Sequence, residues 1–134
     1  MSDNVYLGNP NLKKANTQIE FTEDQILEFL KCKEDPVYFA NNYIKIVSLD
    51  EGLTQFHPYH FQEKLINNFH ENRFNICKMP RQTGKSTTVV SYLLHYAVFN
   101  DSVNIGILAN KAATARELLS RLQTAYENLP KWMQ

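Results

Sequence analysis

The residues with the clearest chemical potential are Met79, Pro80, Arg81, Gln82, Thr83, Gly84, Lys85, Ser86 and Thr87, in unbroken order. A glycine, a lysine and a hydroxyl at the opening of a helix suit the binding of a nucleotide's phosphates. The first turn of a helix leaves backbone N–H groups without partners, and the helix dipole adds positive potential there. Gly84 lets the backbone approach an anion closely, Lys85 has the reach for the terminal phosphates, and Ser86 carries a hydroxyl suited to Mg²⁺. Thr87 is the second hydroxyl in line for that role. The full pattern of such loops starts with a glycine five residues before the second one, where this chain has Met79. A bare Gly-Lys-Ser also fits an ordinary turn into a helix with a surface lysine, so the flanking elements decide its weight.

Those elements fall where the chemistry needs them. Residues 74–78 form an apolar run that predicts a buried strand leading into the loop. Val89, Val90, Leu93, Leu94, Ala97 and Val98 recur at helical spacing after it. Residues 103–109 read as a second buried strand beyond the turn Asn100-Asp101-Ser102. An amphipathic helix follows over about 112–129, with Ala115, Leu118, Leu119, Leu122 and Tyr126 inward and Pro130 closing it. Strand, helix, strand predicts a right-handed crossover and parallel pairing.

Upstream, residues 1–20 are polar and read as an extended or loosely ordered arm. Thr22 with Gln25 is a capping-box signature, and Phe21 can staple onto Ile26. The helix it opens, to about residue 31, is expected to bury Ile26, Leu27 and Leu30. Asp35-Pro36 restarts a helix with its cap and first-turn proline, and Val37, Phe39, Ala40 and Tyr43 form its core face. Residues 44–47 suggest a short strand ending in the turn Asp50-Glu51-Gly52. The stretch from Phe56 opens a helix to about Asn72, with Phe61, Leu65, Ile66 and Phe69 as its buried stripe.

Composition excludes several classes. The 134 residues carry 14 basic and 14 acidic side chains, so overall charge favours neither nucleic acid nor a membrane surface. Cys32 and Cys77 have no metal spacing and suggest no disulfide framework, which points to a reducing, intracellular setting. The N-terminal stretch lacks a signal-peptide hydrophobic segment, and no apolar run has the length of a membrane span. The chain length suits one modest domain.

With these residues in place, a resemblance emerges. Residues 79–86 closely resemble the phosphate loop of tailed-phage terminase large subunits, a family in which the first glycine is commonly replaced and an Arg-Gln pair precedes the loop's centre. Gly106-Ile107-Leu108-Ala109-Asn110-Lys111 is similar to the strand after the first helix of these ATPases. Tyr59-His60-Phe61-Gln62 resembles their adenine-reading aromatic-x-x-Gln element, which related helicases share. Two lead-in stretches, residues 9–16 and 35–40, look like those of contractile-tailed phage terminases. Order and spacing agree across about residues 7–134.

The resemblance implies the ATP-binding portion of a viral DNA-packaging motor, coupling ATP hydrolysis to translocation of double-stranded phage DNA through a portal protein into a capsid. It implies ATP and Mg²⁺ as ligands, a small terminase subunit as a further partner, assembly into a ring, and the host cytoplasm as location. Lys85 would hold the β- and γ-phosphates, and Ser86 the Mg²⁺. Gln82, Thr83, Gly84 and Thr87 would complete the cradle. Arg81 would stabilise charge at the γ-phosphate, making Lys85 and Arg81 the catalytic pair. Gln62 would contact adenine, with Tyr59 or Phe61 packing near the base.

The family's hydrolysis also needs an acidic pair at the end of a later strand, and its nuclease needs clustered carboxylates. Neither pattern occurs between the loop and Gln134. Asp101 sits in a turn and Glu117 on a helix face, so the chain is expected to be a weak ATPase and no nuclease by itself. Two other readings compete: a piece of a helicase-like translocase, which shares the loop and the glutamine element, and a non-catalytic nucleotide-binding or partner-binding module. Bland readings stand beside the site residues. Gln62 suits a solvated helix position, Arg81 can brace the loop backbone, and His57 with His60 fits helix-start chemistry without metal. Lys111, Arg116 and Arg121 suit a solvated face, and Tyr38, Phe39 and Tyr43 suit core packing. The expected fold is α/β: residues 21–134 as the N-terminal part of a P-loop ATPase domain, a parallel sheet with flanking helices and a helical lead-in. Such a partial sheet would leave an edge open to self-association.

Overall fold

A computed structural model describes residues 5–134. Both helix caps read in the lead-in form. Helix α1, Glu23–Glu34, opens on Thr22, whose Oγ1 accepts the Gln25 N–H at 3.2 Å while Gln25 Oε1 accepts the Thr22 N–H at 3.1 Å. Helix α2, Pro36–Tyr43, opens on Asp35, whose Oδ1 accepts the N–H groups of Val37 and Tyr38, each at 3.0 Å. A hydroxyl, an amide oxygen and a carboxylate thus take up donors that helix starts leave free.

Two antiparallel hairpins flank these helices. Strands β1, Val5–Tyr6, and β2, Asn9–Lys13, pair near the amino terminus, inside the stretch read as an arm. The Gln134 side chain ties this hairpin to the other end, accepting the Lys13 N–H at 2.8 Å and donating to the Asn11 carbonyl at 2.8 Å. Strands β3, Lys45–Ser48, and β4, Gly52–Gln55, pair in register from Lys45 with Gln55 to Ser48 with Gly52. Gly52, at φ 70°, supplies the left-handed residue the turn requires. Gln55 Nε2 then donates to the carbonyls of Ala40, Asn41 and Ile44, closing the end of α2.

The remaining helices are α3, His60–Glu71, α4, Lys85–Phe99, and α5, Ala112–Glu127, followed by a 3-10 turn at Lys131–Met133. They pack directly on one another, α4 against α2, α3 and α5. Phe39, Ala40, Ile44, Ile66, Leu94, Phe99, Ala125, Leu129 and Met133 form one core with Cys32. Aromatic rings concentrate there: Phe39 meets Phe99 edge-on at 5.3 Å and His95 at 5.5 Å between centroids. His95 Nε2 lies 2.9 Å from the Cys32 carbonyl, which can only accept, so Nε2 carries the proton. Burial holds the His95 pKa below its ordinary value and pushes the Cys32 thiol up to about 12. Tyr38 and Tyr43 both donate to Glu28 Oε1, at 2.7 and 2.9 Å, and lower the Glu28 pKa.

The expected α/β architecture is corrected by this arrangement. Among the described residues there is no parallel sheet; five helices and two antiparallel hairpins make the fold. Among the described residues, 74–78 and 103–109 carry no backbone hydrogen bond to each other or to another segment. Phe74 is 83% and Ile76 101% exposed, so the run leading into the loop is not a buried strand. Helix-on-helix packing supplies the core that the sheet was expected to supply. A smaller expectation also changes. Ile26, Leu27 and Leu30 face outward while Phe29 and Cys32 face the core, and the Phe21 ring meets Phe29 edge-on at 6.5 Å between centroids. No helix among the described residues is long and apolar enough to cross a membrane.

Candidate phosphate-binding loop

The loop between residue 79 and α4 is built from its own polar groups. Thr83 Oγ1 donates to the Pro80 carbonyl at 2.9 Å, closing a tight turn. Gln82 and Gly84 both have left-handed backbones, at φ 59° and 74°. Gly84 is the N-cap of α4, so no side chain there can accept the first N–H groups. Among the described residues, none provides a hydrogen-bond acceptor to the backbone N–H groups of residues 81–87. This run of donors, at the positive end of a 15-residue helix, is the backbone half of an anion site.

Lys85 supplies the side-chain half. Its Nζ donates to the Met79 carbonyl at 3.1 Å, so the lysine arches over the loop to the position where the general pattern has glycine. A carbonyl oxygen satisfies that ammonium for as long as no stronger acceptor is present. Ser86 is exposed beside it, Arg81 and Gln82 are exposed, and Thr83 and Thr87 are half-buried. Thr88, which was not singled out in the sequence, is fully buried, and its Oγ1 donates to the Gly84 carbonyl at 2.8 Å.

Gln62 joins the loop from α3. Its Oε1 accepts the Tyr59 N–H at 2.8 Å, and its Nε2 donates to the Gly84 carbonyl at 3.3 Å. It is 3% exposed, so it is not the solvated helix residue of the bland reading. A Cβ placed on Gly84 would lie 2.5 Å from that Nε2. Backbone conformation and the approach of Gln62 therefore both require glycine at 84. Tyr59 and Phe61 stand on either side of His60 with rings stacked at 5.9 Å between centroids and 11° between planes, and both are exposed. The structure thus brings Gln62 of α3 to the loop of residues 79–87, through the Gly84 carbonyl.

The other candidates sit on exposed turns and helix faces. His60 approaches Glu63 at 3.7 Å on an exposed turn, and no cluster of three metal-ligating side chains occurs among the described residues. Arg121 pairs with Glu117 one helical turn away, which fits a solvated face. A cleft of about 490 Å³ opens next to the loop, lined by Thr87 and Val90 of α4, Ile44 and Ile46 of the β3 region, and Arg121. No protein-family model matches the sequence.

Proposed function

We propose that residues 59–87 bind ATP with Mg²⁺, and that the chain is the ATP-binding portion of a tailed-phage terminase large subunit, the motor that packages viral DNA. One observation carries the binding reading. Among the described residues, the N–H groups of residues 81–87 have no acceptor, and the Lys85 ammonium beside them has only the Met79 carbonyl. This reading rests on the loop and its helix, and needs no sheet beneath them.

The residues present fit the group. The N–H groups and Gly84 would cradle phosphate oxygens, Lys85 would exchange the Met79 carbonyl for the β- and γ-phosphates, and Ser86 would hold Mg²⁺. The bound metal bridges phosphate oxygens and offsets their charge. Arg81 is free to reach the γ-phosphate. Gln62 retains one N–H and one lone pair beyond its bonds to Gly84 and Tyr59, enough for an amide contact to adenine, and the Tyr59 and Phe61 rings offer the base a face. The motor assignment is supported by the ordered set of sequence motifs. In that assignment double-stranded DNA, the portal protein and the small terminase subunit are the partners, in the host cytoplasm.

Displacement of a fluorescent ATP analogue tests the reading. ATP and ADP should compete at least about tenfold better than AMP, because Lys85 and the loop N–H groups act on the outer phosphates. Equal competition by AMP, or no binding of the analogue, would overturn it.

A further inference from the structure

Thr88 stands one turn into α4 and is fully buried, so it cannot touch a ligand in the loop. Its hydroxyl nevertheless bonds to the loop's end, Oγ1 donating to the Gly84 carbonyl at 2.8 Å. The same oxygen accepts the Thr88 N–H at 3.0 Å and Gln62 Nε2 at 3.3 Å. A threonine within a helix can make such a bond merely to satisfy itself. Ser91, on the same helix, is also buried, and its hydroxyl has no partner among the described residues. Burial on α4 therefore does not by itself turn a hydroxyl back onto the helix backbone.

The Gly84 carbonyl and the Lys85 N–H belong to one peptide plane and, in a trans peptide, point in opposite directions. Three donors that hold the carbonyl along the helix also hold the Lys85 N–H toward the loop. There it has no acceptor among the described residues. The hold matters because glycine, here at φ 74°, restrains rotation of that plane less than any residue with a side chain. A rotated plane would turn a carbonyl oxygen, with its partial negative charge, toward the place of an anion.

We propose that Thr88 is a positioning residue of the phosphate loop, its hydroxyl locking the Gly84–Lys85 peptide so that the Lys85 N–H faces the bound phosphates. The proposal rests on the phosphate-site reading and adds to it a residue that never meets the nucleotide. Calorimetric titration of ATP with Mg²⁺ tests it on the parent, on Thr88→Ser, which keeps the hydroxyl, and on Thr88→Val, which keeps the shape. Thr88→Ala is a second variant without a hydroxyl. Circular dichroism and urea unfolding establish that each is folded at the titration temperature. Thr88→Ser should bind within about twofold of the parent, and Thr88→Val and Thr88→Ala about fivefold or more weaker. Thr88→Val binding as the parent does, or Thr88→Ser losing as much as Thr88→Val, would overturn the positioning role and leave the phosphate site standing. A parent that binds no ATP would overturn the site and the role together.

Discussion

Gly84 concentrates the constraints of the site into one residue. Its φ of 74° is costly for any side chain, and its carbonyl accepts from the Thr88 N–H, the Thr88 hydroxyl and Gln62 Nε2. Gly84→Ala should cost about 1–2 kcal/mol in urea unfolding, from left-handed strain and displacement of the Gln62 amide. The obstructing atom is the end of a flexible side chain, so Gly84→Ala combined with Gln62→Ala should cost less than the sum of the two single changes. Strict additivity would show that the two residues are not coupled. Lys85, Ser86 and Gly84 were legible because their types and adjacency are themselves the motif. The lysine's resting place on Met79 and the buried Thr88 hydroxyl were not, since each depends on how the loop folds back on itself.

At the scale of elements, local chemistry was the most readable. Thr22 with Gln25, and Asp35 with Pro36, fix helix starts through contacts spanning no more than three residues, and both caps form as read. Asp35→Ala leaves the Val37 and Tyr38 N–H groups without their acceptor and should destabilise the fold by about 1–2 kcal/mol, with Asp35→Asn retaining most of the wild-type midpoint. Equal loss from both substitutions would point to charge, not capping. The strands were less readable for a physical reason. Apolar runs at residues 74–78 and 103–109 favour extended backbone, but pairing is decided by what lies alongside, and neither segment is paired among the described residues. In α1 the spacing of Ile26, Leu27 and Leu30 suited a buried stripe, yet Phe29 and Cys32 turn inward because the aromatic rings of Phe39, His95 and Phe99 gather on that side.

The whole molecule is held by a helical core with a titratable ring inside it. His95 is 3% exposed and neutral, with His70 and Tyr92 rings within 5.8 and 6.1 Å. Its folded pKa lies below the ordinary 6.5, so the unfolded chain takes up this proton first as pH falls. The stability linked to His95 is therefore complete above about pH 6.5 and lost as pH drops below it toward the folded pKa. Denaturation midpoints should fall between neutral and mildly acidic pH, and His95→Gln should flatten that dependence; an unchanged slope would assign it to other groups. The central claim, that the loop ahead of α4 binds nucleotide phosphates, is tested most directly by calorimetric titration of ATP with Mg²⁺ into this protein and its Lys85→Ala variant. The account predicts binding to the parent and a loss of about tenfold or more in the variant, because a charge-assisted contact to phosphate is removed. Equal affinity for the two proteins would contradict the role assigned to Lys85, and heatless titrations of both, with no nucleotide bound, would contradict the loop as a phosphate site.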